Sequence, residues 1–192
     1  MKHSGTVRLE TKRLILRRLE LSDAEDAYHN WTNDGEVTKF LTWPTHENIQ
    51  MTRNFIQSNV DQYDKESDFY SWGIECKEIG QVIGSIGAVN VNERAESVHI
   101  GYCIGKAYWN RGIMSEAFGA VIQYLFEVVE VNRIDSRHDP RNPYSGKVME
   151  KCGLIYEGTL RQSDRNNQGI CDAAWYGLLK AEWKMNNNYN ER

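Results

Sequence analysis

The stretch of this chain best suited to chemistry is Tyr108-Trp109-Asn110-Arg111-Gly112-Ile113-Met114-Ser115-Glu116-Ala117. Gly112 stands where a short apolar run ends and a helical pattern begins. A helix start carries several backbone N–H groups without partners and the positive end of the dipole, so it suits an anion. Arg111 adds a full positive charge beside it. We read this turn as a holder for the pyrophosphate of a cofactor, although a glycine placed only for backbone geometry would leave the same residues. A second polar turn, Asp139-Pro140-Arg141-Asn142-Pro143, leads into Tyr144-Ser145. Two familiar phosphate loops are excluded. No Gly-Lys-Ser/Thr marks a P-loop, and no Gly-x-Gly-x-x-Gly opens a dinucleotide unit.

The other reactive side chains are scattered. Cys76, Cys103, Cys152 and Cys171 have no metal-site spacing, and the five histidines include no His-x-x-x-His pair, so no metal is expected. Neither Cys103 nor Cys152 has a histidine beside it in sequence to activate a thiol.

The elements that must position these residues follow from periodicity. His99-Ile100-Gly101-Tyr102-Cys103-Ile104 reads as a buried strand. Met114, Ala117, Phe118, Val121, Ile122, Leu125 and Val129 repeat on one helix face after it. Earlier, Leu14 to Leu19 reads as a strand, and Ser22 with Glu25 as a capping box opening a helix through about Trp31. Asn33-Asp34-Gly35 stops that helix, residues 36–44 read as irregular, and a second helix begins at Pro44-Thr45 with Ile49, Phe55 and Ile56 inward. Three runs, Phe69 to Cys76, Gln81 to Val91 and Ser97 to Ile104, form an antiparallel meander across tight-turn sequences. After the long helix come a strand at Arg133 to His138, a short helix from about Tyr144 to Cys152, and strands at Leu154 to Leu160 and Ala173 to Leu179. The link from the Ile104 strand through the long helix to Arg133 is a crossover, so those two strands should be parallel. The expectation is an α/β (α+β) fold in which a mostly antiparallel sheet is flanked by helices and a cleft opens where the parallel pair meets the rest.

Bulk properties set the class. The chain has 192 residues, 40% hydrophobic and 26% charged, with a formal net charge of −4. That length predicts one domain, placed at 1–183, with a polar asparagine-rich tail at 184–192 that frays. The acidic balance argues against direct nucleic-acid binding. No run approaches the roughly 18 apolar residues of a membrane span, and the start is charged, so the chain is expected in the cytoplasm with its thiols reduced.

Three motifs together carry a family resemblance. Arg111-Gly112-Ile113-Met114-Ser115-Glu116-Ala117, Asn142-Pro143-Tyr144-Ser145 and Glu150-Lys151-Cys152-Gly153-Leu154-Ile155-Tyr156-Glu157-Gly158 resemble the GNAT acetyltransferases. More narrowly they are similar to the RimJ/RimL branch, which acetylates the α-amino group of ribosomal proteins. Leu9 to Arg17 is similar to the start of that branch, and the likeness spans roughly residues 8–183. It implies acetyl-CoA as donor and the parallel pair splayed at the cofactor cleft. Backbone groups of Asn110, Arg111, Gly112, Ile113, Met114 and Ser115 would face the pyrophosphate. Tyr102, Cys103 and Ile104 would pair with the pantetheine arm as with an added strand, and Asn142 would bond it from the other side. Trp109 and Met114 depart from the family pattern, in which Gln or Arg and a small residue are usual.

Acetyl transfer to an amine needs a neutral nucleophile, a polarised carbonyl and a donor for the leaving thiolate. An α-amino group with a pKa of about 8 is roughly a tenth neutral at pH 7, and a lysine near about 10.4 far less, so a modest base suffices for an N-terminus. The resemblance assigns the thiolate to Ser145, whose other use would be a helix cap. It puts His99 where the branch often carries a basic glutamate, and an imidazole titrates near neutrality. Glu96 and His138 are alternative bases. Trp31, Trp43, Tyr70 and Trp72 fall in segments that form the acceptor side in this family, and Lys147 and Lys151 would meet the cofactor's outer phosphate. The expected activity is therefore direct acetyl transfer in a ternary complex to a protein N-terminus. The alternatives are a small-amine acceptor (antibiotic, peptide-nucleotide toxin, polyamine) or a non-catalytic CoA-binding sensor, and homodimerisation is compatible with the family.

Overall fold

A computed structural model describes the backbone of residues 1–190 and the side chains of residues 1–186. Eight strands form one sheet: β1 (Leu9–Glu10), β2 (Leu14–Arg17), β3 (Ser71–Cys76), β4 (Gln81–Asn92), β5 (Ser97–Ile104), β6 (Arg133–His138), β7 (Ile155–Asn166) and β8 (Gly169–Leu179). Their spatial order is β1-β2-β3-β4-β5-β6-β8-β7. All neighbours are antiparallel except β5 and β6, which run parallel as the crossover requires. Six α-helices are α1 (Ala24–Ala27), α2 (Gly35–Thr38), α3 (Ile49–Tyr63), α4 (Ile113–Tyr124), α5 (Pro143–Lys151) and α6 (Lys180–Asn190).

The two faces of the sheet are covered separately. Helix α4 buries Ile113, Met114, Ala117, Phe118, Val121 and Ile122, the stripe its periodicity predicts, and continues as a wider turn through Leu125–Val129. These side chains pack with Leu14, Leu16, Trp72, Ile74, Ile83, Ile86, Val98, Ile100 and Ile134 in the main core. On the other face α1 and α3 close a smaller cluster of Leu19, Ala24, Ala27, Trp31, Val37, Ile56 and Val82. Each such fully buried side chain contributes on the order of 1.5–3 kcal/mol, so the sheet between the two clusters is a rigid base for the loops at its edge.

Several local expectations are corrected. The capping box is Glu20 with Asp23, not Ser22 with Glu25, because the buried Asp23 takes the Glu20 amide at 2.7 Å while Glu25 meets Arg53 at 3.4 Å. Residues 36–44 are not wholly irregular, since Asp34 caps Glu36 at 2.8 Å and starts α2. Asn48, not Pro44-Thr45, opens α3 by accepting from the Met51 amide, and the buried face is Thr52, Ile56, Asn59 and Tyr63. The last hairpin is longer than its apolar runs, because β7 and β8 pair out to Asn166 and Gly169. Where a fraying tail was expected from Lys184, α6 continues to Asn190; 191 and 192 lie outside the described residues. Among the described residues no helix is long and apolar enough to cross a membrane.

Candidate active site

The site begins where two parallel strands part. Strands β5 and β6 pair at Ser97 with Arg133, Val98 with Ile134 and His99 with Asp135, and the ladder ends there. One further bond spans the fork, from Ser136 Oγ to the Ile100 carbonyl at 2.7 Å. Beyond it Gly101 to Ile104 pair only with β4, while β6 stays with β8. The edge of β5 that faces β6 is thus left without a strand partner from Gly101 on, and an extended ligand arm can add to it by main-chain hydrogen bonds.

The turn after β5 is shaped to present amides. Gly112 is the N-cap of α4 in a left-handed conformation (φ 70°), which only glycine adopts cheaply. No side chain caps this helix, so the N–H groups of its first turn are free for an anion. Glu116, the one acid in that turn, is turned away: Thr11 Oγ1 donates to it at 2.6 Å, and the Arg13 backbone N and Nε at 2.9 and 2.6 Å. Arg13 Nη1 also donates to the Arg111 carbonyl at 2.9 Å, fixing the loop. This bracing from the β1–β2 turn, about a hundred residues away in the chain, carried no signal in the sequence.

A cavity of about 630 Å³ joins the turn to the fork. It is lined by Tyr102, Cys103, Ile104, Asn110, Gly112, Ile113, Met114, Ser115, Asn142 and Ser145, all singled out from the sequence. Arg111 is the exception: its guanidinium lies over the Tyr108 ring at 5.9 Å, and it does not line the cavity. Lys147 and Lys151 line it as expected, joined by Lys39 and Arg141.

Ser145 sits in the first turn of α5, which starts with Pro143 at a position that needs no N–H donor. It is not used as a cap. Its Oγ donates to Tyr102 Oη at 3.1 Å, and Tyr102 Oη donates to the Ser145 carbonyl at 2.8 Å. Burial pushes the Tyr102 phenol well above its ordinary range, so it stays protonated. The loop before α5 is locked by Asp139, which is 7% exposed. Burial acting alone would raise its pKa, but hydrogen bonds from Arg141 and Asn166 outweigh that and hold the carboxylate at about 2. Gly146 lets α5 approach β6 closely, since a methyl there would meet His138 Nε2 at 2.7 Å.

The expected bases lie elsewhere. His99 is 8% exposed, and both of its ring nitrogens are engaged, Nδ1 with Asp135 Oδ1 at 2.5 Å and Nε2 with Arg137 Nη1 at 2.8 Å. Arg137 can only donate, so Nε2 accepts and Nδ1 carries the proton toward Asp135. The ring lies against Trp175 with centroids 5.1 Å apart, and it does not reach the cavity. Its geometry is that of a pin across the last rung of the β5–β6 ladder. His138 donates through Nδ1 to the Asp139 carbonyl at 2.8 Å, and its Nε2 is buried without a partner, also off the cavity. Glu96 precedes β5 at the opposite end from the cavity.

The aromatic residues expected on the acceptor side do not line this cavity. Trp31, Tyr70 and Trp72 are essentially fully buried core, and Trp43 stacks on Phe55 at 6.3 Å. Glu36, Val37, Lys39, Phe40 and Leu41 form a roof along the cavity. Asn167, at the tip of the β7–β8 hairpin, holds this roof. Its Nδ2 donates to the Thr38 and Trp43 carbonyls, each at 2.8 Å, and its backbone N to Leu41 at 3.1 Å. Arg141 reaches across to Phe40, 5.9 Å from its ring. The nearby thiols are kept neutral: burial raises Cys103, and pushes Cys152 up to about 12. Among the described residues no group of three His, Cys, Asp or Glu side chains could hold a metal ion.

Comparison with known proteins gives a consistent result. Residues 13–155 match the model of a family described as acetyltransferase (GNAT) domain. The chain is 31% identical to a Bacillus licheniformis protein named "Uncharacterized N-acetyltransferase p20", over 91% of this chain and 97% of that one. It is 25% identical to the [Ribosomal protein uS5]-alanine N-acetyltransferase of Escherichia coli, over 93% of this chain and 87% of the relative. Its fold is similar to that of a GNAT-family acetyltransferase from Bacillus anthracis, with a TM-score of 0.81 at 25% identity, covering 92% of this chain and all of the other.

Proposed function

Because the chain belongs to the GNAT acetyltransferase family and is thereby an acetyl-CoA-dependent N-acetyltransferase, we propose that its acceptor is the α-amino group of a protein N-terminus, ribosomal proteins included. One observation carries this choice of acceptor. No histidine lines the cavity, because His99 and His138 are both held outside it. A cleft without a near-neutral base suits an amine that is already partly neutral, and an α-amino group is so where a lysine is not. The relative that acts on ribosomal protein uS5 supports the same acceptor class.

The chain's residues divide the work as follows. The free amides of α4 and the lysines on α5 hold the phosphates of the donor, and the open edge of β5 aligns its arm. Asn142 bonds that arm from the opposite side of the slot. The amine attacks the thioester carbon directly, forming the C–N bond as the C–S bond breaks. Ser145 turns its hydroxyl from Tyr102 to the leaving sulfur, and the amine's proton leaves through the open cleft. Neutral, half-buried thiols at Cys103 and Cys152 favour this direct route over an acetyl-enzyme. Acetyl-CoA and new protein N-termini meet in the cytoplasm, where we place the reaction.

The test is a competition among hexapeptides with acetyl-CoA, read by mass spectrometry. Peptides with a free N-terminal Ala or Ser should gain one acetyl group at the N-terminus. Their N-terminally blocked counterparts carrying an internal lysine should gain none. Acetylation of the lysine in preference to the N-terminus would sink the reading.

A further inference from the structure

Every acid near the site is already engaged, with one exception. Glu116 is held by Thr11 and Arg13, Asp139 by Arg141 and Asn166, Asp135 by His99 and Arg133, and Asp164 by Arg137. Glu36 lines the cavity and has no ion pair or side-chain hydrogen bond among the described residues. We propose that Glu36 is the specificity-determining carboxylate that receives the acceptor's ammonium group as it enters the cleft. This rests on the reading that the acceptor is a cationic amine.

The charge distribution of the cavity carries the inference. Its cationic lining side chains are Lys39, Arg141, Lys147 and Lys151, and Glu36 is the single carboxylate among the lining residues. The Arg141 charge is compensated by Asp139 at 2.6 Å, which leaves three lysines. Lys147 and Lys151 on α5 serve an anionic donor, and all three lysines repel an arriving ammonium. A cleft that takes a phosphate-bearing donor and a cationic acceptor together therefore needs a negative group on the acceptor's side. Glu36 lines the same cavity from α2, an element separate from the α4 turn and α5.

The backbone that carries this exposed carboxylate is held in place. The Glu36 backbone N donates to Asp34 Oδ1 at 2.8 Å, and the Thr38 backbone N to the Asp34 carbonyl at 3.0 Å. Val37 and Thr38 are buried, Thr38 and Thr45 share a hydroxyl bond of 2.6 Å, and Asn167 clamps the segment from above. The backbone is therefore ordered before the acceptor arrives, and only the Glu36 side chain has still to be ordered on binding. Exposed pairs of this kind are weak, so the effect expected is about two- to fivefold in affinity.

Steady-state kinetics with saturating acetyl-CoA and a varied free-N-terminus hexapeptide test the assignment. Glu36→Gln should raise the peptide KM about two- to fivefold with kcat nearly unchanged. Glu36→Asp should recover part of the loss, and Glu36→Lys should deepen it. Added salt should raise the wild-type peptide KM and leave that of Glu36→Gln flat. Acetyl-CoA affinity, measured by equilibrium titration, should not weaken in any variant. An active wild type whose Glu36→Gln variant keeps its peptide KM overturns this inference and leaves the acceptor reading standing. So does a Glu36→Gln or Glu36→Lys variant whose main loss is in acetyl-CoA binding. A wild type that acetylates none of the hexapeptides overturns the acceptor reading, and the inference with it.

Discussion

Replacing His99 by alanine separates a base from a structural pin. The side chain closes a chain of charges across three strands. Asp164 meets Arg137 at 2.6 Å, Arg137 meets His99 at 2.8 Å, His99 meets Asp135 at 2.5 Å, and Arg133 bonds both Asp135 and Glu157. Alanine removes two hydrogen bonds to charged groups, each contributing about 1.5–3 kcal/mol. Neither charge is orphaned, since Arg137 keeps Asp164 and Asp135 keeps Arg133. The low end of the sum, about 3 kcal/mol, is therefore expected. For a chain of this size that lowers Tm by about 10 °C. Because the pin sits on the last rung before the fork, His99→Ala should also raise the KM for acetyl-CoA while kcat changes less than about threefold. Loss of a general base would instead cost about 10²–10⁴ in kcat. Thermal unfolding followed by circular dichroism, together with initial rates at varied acetyl-CoA, reads both quantities. A hundredfold fall in kcat with an unchanged Tm would refute the structural account and return His99 to the chemistry.

Three further outcomes are expected. Ser145→Ala should lower kcat by about 10²-fold with little effect on acetyl-CoA affinity, the size expected for one lost donor at a developing anion; unchanged kcat would remove Ser145 from the reaction. Gly112→Ala forces a side chain into a left-handed backbone (φ 70°), costing about 1–2 kcal/mol, and should weaken acetyl-CoA binding in an equilibrium titration more than it lowers Tm. Asp139 has its carboxylate held at about 2, below the ordinary 3.8, so its contribution of about 2 kcal/mol is present above about pH 4 and lost as pH falls through 2. Urea unfolding of wild type and Asp139→Asn should accordingly differ at pH 6 and converge near pH 2, and a gap that stays constant over that range would be the contrary result.

Much of this molecule is legible in local sequence because the cause is local. Strands β5 and β6 stand at the limits their apolar runs predict, and α4 buries the stripe set by its periodicity. A crossover too long for a hairpin makes β5 and β6 parallel, and a glycine at a strand-to-helix turn frees the amides of α4. These features depend on residues within one or two turns of each other. They are enough to gather the expected donor-side residues, Arg111 aside, and Ser145 around one cavity.

What the sequence left undecided depends on partners distant in the chain. The roles of His99 rest on Asp135 and Arg137, 36 and 38 residues on, which take both ring nitrogens. Of the aromatics that read as a groove, Trp31 became core under α1 and α3, and Tyr70 and Trp72 became core under α4 against Tyr124. The roof that carries Glu36 is pinned by Asn167, more than 120 residues away. By itself the sequence marked the residues proposed for the donor's side of the site, since backbone geometry makes that side and backbone geometry is written in local spacing. Only the tertiary structure decided the acceptor's side, because it depends on which charged side chains packing leaves without a partner.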